Sequence, residues 1–255
     1  MSTEHAVYPD LKGKTVLVSG GASGIGEFMV RAFAAQGAKV GFVDRAQSQG
    51  ERLAALLSSR GDAVEFVCCD ITDEIAYKAA ICRFEQSLGP ITVLVNNAAN
   101  DVRHTLEEVD SDTFDRLIAV NLKHAFFAAK AVVPMMKSAG SGSIINLGSV
   151  GWMMASAGYP VYAASKAAAH GMTRALAREL GPDRIRVNTL VPGWVMTEKQ
   201  LAMWVDDAAK DLIARSQCLP GSVLPEHIAN MALFLASDAS AMCSAQNFIV
   251  DGGWV

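Results

Sequence analysis

Short β-branched runs alternate with longer stretches of helical spacing along nearly the whole chain. Val16-Leu17-Val18, Val40–Val43, Val64–Val67, Val93–Val95, Ile144–Leu147, Ile185–Val191 and Phe248–Val250 read as strands. Most lack an apolar/polar alternation, the pattern of parallel strands covered on both faces. Between the first two, Ile25, Phe28, Met29, Ala32 and Phe33 form one apolar stripe at helical spacing, and Gly37 stops that helix. Further helical patterns cover Asp112–Lys137 and Tyr162 to Leu180, the second closed by Gly181-Pro182. Seven strands with intervening helices imply right-handed crossovers and a doubly wound parallel α/β sheet. No linker, repeat or low-complexity tract divides the 255 residues, so a single domain over 1–255 is expected. The segment from Trp194 to about Pro225 is long for a crossover and rich in Trp, Met, Lys and Asp. It reads as a helical lid, about 194–225.

Composition narrows the setting. Hydrophobic residues make up 51% and charged residues 19%, which suits a buried core. A net charge of −4, with no run of Lys and Arg, offers no general attraction to nucleic acid or to an anionic membrane. Met1–Lys14 is polar and mixed, without the layout of a secretory signal. Ala125–Met136 and Ile228–Ala236 are interrupted or too short to cross a bilayer. The five cysteines include no C-x-x-C pair and read as free, mostly buried thiols in a reducing cytoplasm. The five histidines, His5, His104, His124, His170 and His227, show no ligand spacing, so no metal site is expected.

The first strand runs directly into Ser19-Gly20-Gly21-Ala22-Ser23-Gly24-Ile25-Gly26, and a helix follows. Gly20, Gly24 and Gly26 permit a tight turn that can approach a pyrophosphate, whose charge then meets the helix N-terminus. Asp44 ends the second strand, where a carboxylate accepts hydrogen bonds from both hydroxyls of an adenosine ribose and repels a 2′-phosphate. That points to NAD as cofactor. Arg45 could partly neutralise a phosphate, so NADP is disfavoured rather than excluded. Asp70, ending the third strand, is placed to meet the adenine, with Ile71 beside it.

The chemistry-bearing residues lie further along. In Tyr162-Ala163-Ala164-Ser165-Lys166 the phenol and the ammonium share a helix face. A cation about 4 Å away contributes roughly 4 kcal/mol at an effective dielectric of 20, enough to bring a phenol from about 10 to near 7. General acid/base catalysis works best there. Ser149 follows the strand Ile144–Leu147 at the carboxyl end, where open α/β sheets bind ligands, and Asn96-Asn97-Ala98-Ala99 caps the fourth strand likewise. Asn121 sits inside a helical pattern, where Asn is unfavourable without a reason.

With its glycine turn, Asn-Asn-Ala element, Asn121, Ser149, Tyr162-x-x-x-Lys166 and Pro192-Gly193 in this order and spacing, the chain resembles the short-chain dehydrogenase/reductase family over nearly its whole length. The resemblance implies a single-domain Rossmann-like fold and hydride transfer to NAD. It makes Tyr162 the general base, Ser149 a hydrogen-bond partner of the reacting oxygen, and Lys166 the holder of the cofactor ribose. Asn121 would anchor a water of a proton relay, and Asn97 would line the cofactor cleft. Pro192-Gly193 with Val195 and Thr197 would meet the carboxamide. Ala99 stands where the family usually has Gly, and Ser19 where it usually has Thr. A homotetramer is implied too, with the Tyr162 helix and Gly252-Gly253-Trp254-Val255 near subunit contacts.

The substrate is less constrained. Asn100-Asp101-Val102-Arg103-His104 is unusually polar, and Trp152, Trp194, Lys199, Gln200 and Trp204 add aromatic and polar groups. Directional polar groups with flat aromatic faces suit a sugar. The same residues also fit a surface loop, a subunit contact or plain core. Asn-Asp-x-Arg-His with Pro-Gly-x-Val-x-Thr is similar to bacterial NAD-dependent aldose 1-dehydrogenases of this family, which oxidise pentoses or hexoses to the lactone. A polyol, an acidic sugar or a 3-oxoacyl thioester is the alternative substrate, and a cofactor-binding protein without catalysis the alternative class.

Overall fold

The structure, a computed structural model, describes residues 6–255; His5 and the opening of Met1–Lys14 lie outside the described residues. The chain runs β1 (Thr15–Ser19), α1 (Gly24–Ala35), β2 (Lys39–Asp44), α2 (Gln47–Ser58), β3 (Val64–Cys68), α3 (Glu74–Leu88), β4 (Ile91–Asn96), α4 (Ser111–Ile118), α5 (His124–Ala139) and β5 (Gly142–Leu147). It continues with α6 (Pro160–Leu180), β6 (Ile185–Pro192), α7 (Glu198–Met203), α8 (Asp207–Ser216), α9 (Pro225–Ala236) and β7 (Asn247–Val250). The seven strands form one parallel sheet in the order β3-β2-β1-β4-β5-β6-β7.

Both faces of each central strand are buried, which explains the unbroken apolar runs. In β1, Val16 and Val18 enter one core with α1 and α9, while Leu17 enters a second with α3 and α5. In β4, Val93 and Val95 face the first core and Leu94 the second. The order reverses between β1 and β4, and their carboxyl ends therefore splay apart into a crevice.

Three expectations need correction. The helical pattern Asp112–Lys137 is not one α-helix, because a π turn at Ala119–Lys123 separates α4 from α5. The whole helical run Ser111–Ala139 is 29 residues, long and apolar enough by length and composition to cross a bilayer. In this fold it is a core helix, whose Ala128, Ala129, Val132 and Met136 pack against the sheet. All five cysteines are free, but only Cys69 is buried; Cys68, Cys82 and Cys218 are exposed.

Candidate active site

A cleft of about 670 Å³ opens at the carboxyl ends of the strands. Its floor on the β1 side is the glycine turn, fastened from both neighbours. The amides of Gly20 and Gly21 donate to the Val43 carbonyl of β2 at 2.8 and 3.2 Å. The Ser19 hydroxyl accepts the amide N–H groups of Asn97 and Ala98, each at 3.1 Å, so serine performs this task as threonine would. Asn97 Nδ2 donates back to the carbonyls of Ser19 and Gly20 at 3.0 and 2.9 Å. A Cβ on Gly26 would sit 1.9 Å from the Gly20 carbonyl oxygen, and one on Gly20, at φ +68°, 2.9 Å from Ala98 Cα. Packing of the turn on itself and on the end of β4 therefore fixes these two glycines. Ser23, Ile25 and Gly26 line the cleft where α1 begins, with its first-turn N–H groups unpaired as in any helix start.

Asp44 lines the same cleft at the end of β2. One carboxylate oxygen accepts the Ala22 N–H and the other the Ala46 N–H, both at 3.0 Å. Arg45 is directed away from Asp44 to Asp70, 3.5 Å off. Burial would raise the Asp70 carboxyl, but bonds from the Thr72 amide and hydroxyl, with Arg45, hold it below its ordinary value. Asp70 and Ile71 complete this end. An acidic residue at the end of β2, open amides at the start of α1 and a cleft running between them fit the ribose and pyrophosphate of a dinucleotide.

At the other end α6 brings Tyr162 and Lys166 against β5. The Ser149 hydroxyl accepts the Gly151 N–H at 3.1 Å and lines the cleft together with Tyr162. Lys166 is 3% exposed; its Nζ donates to the Leu147 carbonyl at 2.7 Å and lies 5.6 Å from the centre of the Tyr162 ring. Burial lowers the ammonium to about 8 despite the charge of Asp101. The expected fall of the Tyr162 phenol to near neutrality is not found. Burial pushes it up, and the nearby Ser149 hydroxyl and Arg103 charge only work against that. Asn121, 3% exposed, stands in the π turn; its Oδ1 accepts the Asn100 N–H at 2.8 Å and its Nδ2 donates to the Asn100 carbonyl at 3.0 Å.

The polar loop after β4 does meet the segment 194–225. Asp101 holds Lys199 Nζ at 2.5 Å and Gln200 Nε2 at 2.9 Å, and the Trp194 indole N–H donates to Gln200 Oε1 at 3.0 Å. Thr197 caps α7 through the Gln200 N–H, and Val195 pairs with Val223, closing the segment on itself. Asn100, Arg103, Trp194, Val195, Thr197 and Gln200 all line the cleft. Arg103 lies 4.1 Å over the Tyr159 ring and 5.2 Å from that of Trp204.

Two expected substrate residues are elsewhere. His104 is buried outside the cleft: Nδ1 sits 3.1 Å from the Val102 carbonyl and Nε2 accepts the Val161 N–H at 3.4 Å, tying the loop to the start of α6. Trp152 packs against the His170 ring, 6.5 Å between centres, behind the wall formed by Ser149–Gly151. Tyr159, Met154 and Leu212, unassigned on sequence, line the cleft, as does Trp254, expected near a subunit contact. Among the described residues no cluster of three or more His, Cys, Asp or Glu is placed to hold a metal ion.

Comparison with known proteins agrees with this geometry. Residues 20–255 match the family model described as enoyl-(acyl carrier protein) reductase. The chain is 43% identical over 249 residues to D-xylose 1-dehydrogenase of Caulobacter vibrioides, covering 98% of each protein. It is 41% identical over 254 residues, 99% of each, to a probable galactose dehydrogenase of Rhizobium meliloti. The structure of a gluconate 5-dehydrogenase from Burkholderia cenocepacia, in complex with NADP and tartrate, superposes with a TM-score of 0.89 at 31% identity, covering 96% of this chain and 97% of that one. On the family match, the near full-length identities and the seven-stranded parallel sheet, the chain belongs to the short-chain dehydrogenase/reductase family.

Proposed function

We propose that this chain oxidises an aldose at C1 to the aldonolactone, with NAD as hydride acceptor. The observation that carries the reading is the wall facing Ser149 and Tyr162. Asp101, Lys199, Gln200 and Trp194 form one connected polar and aromatic surface there, suited to a ring with hydroxyls at its edge. The sugar dehydrogenases among the relatives support the same substrate class. Asp44 supports NAD, since its carboxylate would stand against a 2′-phosphate.

In this reading Ser149 and Tyr162 receive the C1 hydroxyl between their own hydroxyls. Tyr162 takes the proton of that hydroxyl as the C1–H bond breaks and the carbonyl forms. The bound cofactor supplies the hydride acceptor and a positive ring charge. Lys166, an ammonium below about pH 8, keeps positive charge beside the phenol, while Asn121 fixes the Asn100 backbone at the edge of the site. The segment 194–225 acts as the lid. Exposed Phe114 and Phe126 on α4 and α5 support a homotetramer, and the free thiols a cytoplasmic protein.

The test is formation of reduced nicotinamide with aldoses, acidic sugars, polyols and secondary alcohols, using NAD and NADP side by side. Turnover of one or a few aldoses with NAD is the expected result; activity confined to polyols or acyl thioesters rejects it. Arg103 favours a second reading, an acidic sugar, because among the described residues it pairs with no carboxylate and it faces the cleft. Uronic and sulfonated sugars in the same panel decide between the two.

A further inference from the structure

The turn after β7 carries an aromatic side chain into the cleft. Asp251, 4% exposed, accepts the Gly253 N–H at 2.8 Å with one carboxylate oxygen and the Val255 N–H at 2.9 Å with the other. Gly252 and Gly253 sit at φ +73° and +84°, so the chain doubles back over that carboxylate. Asp251 also packs flush on Gly193, where a Cβ would lie 2.7 Å from Asp251 Cα. From the lid, the N–H groups of Cys218 and Leu219, just beyond α8, both donate to the Gly252 carbonyl at 2.9 Å.

A turn pinned by Asp251, by Gly193 and by the end of α8 leaves its next side chain little freedom. That side chain is Trp254, half-buried, and it lines the cleft along with Trp194 and Leu212. The sheet order places it. β7 is the edge strand beyond β6, on the opposite side of β1 from β2 and Asp44, so Trp254 stands at the end of the cleft away from the adenosine-binding side. A large flat apolar face fixed beside the polar wall of Asp101 and Gln200 matches a ring that shows hydroxyls at its rim and C–H bonds on its face.

We propose that Trp254 is a specificity-determining residue of the substrate site, its indole face packing on the C–H face of the sugar ring. Asp251 is the positioning residue that holds it there. The inference rests on the aldose reading and adds to it a second aromatic wall, contributed by the segment after β7 and linked through Gly252 to the lid.

The test compares W254A, W254F and D251N with the unchanged protein, measuring KM for the best aldose and for NAD separately, together with melting temperature and light scattering. W254A is expected to raise the aldose KM roughly tenfold or more, with the NAD KM within about twofold, and W254F to recover to within about threefold. D251N, which keeps the side-chain volume but turns one of the two acceptors into a donor and so loses one bond to the turn, is expected to raise the aldose KM in the same direction by a smaller factor. An unchanged aldose KM in W254A overturns the inference, as does a parallel rise of both KM values with a lower melting temperature or a changed assembly. Failure of the unchanged protein to oxidise any aldose removes the reading and the inference together. Aldose oxidation that W254A leaves untouched removes the inference alone.

Discussion

Asn121 and Asn100 exchange two hydrogen bonds, the Asn121 side chain accepting the Asn100 N–H at 2.8 Å and donating to the Asn100 carbonyl at 3.0 Å. The pair accounts for a polar residue inside an apolar helical pattern: the π turn at Ala119–Lys123 directs this amide to the loop after β4. Asn121→Ala leaves both backbone groups of Asn100 without these partners, at a cost of about 2–3 kcal/mol. It also frees the neighbouring Asp101, on which Lys199 and Gln200 depend. Thermal unfolding should show a drop of roughly 5–10 °C, and kinetics a higher substrate KM. A melting temperature equal to that of the unchanged protein would show that the exchange contributes nothing.

In the proposed reading, cofactor choice turns on Asp44. Its two oxygens accept the Ala22 and Ala46 amides, so Asp44→Asn keeps the volume, removes the charge and gives up one of these two bonds. The expected outcome is an NAD Kd higher by about tenfold and an NADP Kd that falls, since a charge facing the ribose contributes on the order of 1–3 kcal/mol. Isothermal titration with both dinucleotides checks it. An unchanged ratio of the two affinities would move the discrimination to another residue, with Arg45 first in line.

The sheet and the glycine turn between β1 and α1 were largely legible in the sequence because each depends on local signals. Unbroken apolar runs mark strands buried on both faces, and the glycine turn joins a strand to a helix within eight residues. The substrate end was less so, because its members are brought together across distances the pattern does not encode. Asp101 and Gln200 are 99 positions apart. His104 and Trp152 have the right chemistry, yet the chain turns them into the packing around α6. That Trp254 lines the cleft is not legible in the sequence, because nothing local says that a buried Asp251 folds the following turn back toward it. The Tyr162 expectation failed for a different reason: spacing four apart gives a shared helix face but not the distance or the desolvation, and burial dominates here.

Substitutions of Tyr162 and Lys166 are both expected to abolish activity but are told apart by other measurements. Tyr162→Phe is expected to lower kcat by about a thousandfold or more while leaving dinucleotide affinity intact. Lys166 has a folded value near 8 against 10.5 for an ordinary lysine. Between those values the unfolded chain binds more protons than the folded one, so this group makes stability rise with pH over about 8 to 10.5. At neutral pH its buried charge is a net cost. Lys166→Met should therefore be inactive yet more stable at pH 7 by about 1–3 kcal/mol, after allowance for the lost bond to Leu147. Urea unfolding measures this, and a clearly less stable variant would count against the burial penalty.

His124 is expected to set the stability profile on the acid side. It is 4% exposed, and among the described residues neither ring nitrogen has a hydrogen-bond partner. Burial first, then the charge of Lys166, lowers it to about 3 from 6.5, against the carbonyls of Val120 and Ala119. A depressed histidine means that the unfolded chain takes up the proton first. Stability is therefore lost as pH falls through about 6.5, at up to about 1.4 kcal/mol per pH unit, until the folded value is reached. Asp70 and Asp101, both held below their ordinary values, lose their contribution only at lower pH, which leaves the range from about 6.5 to 4.5 to His124. His124→Leu should flatten the stability profile across that range, so that at pH 4.5 the variant gains about 2 kcal/mol relative to the unchanged protein. Denaturant unfolding at matched ionic strength reads the slope directly, and parallel profiles for the two proteins would assign the acid sensitivity to other groups.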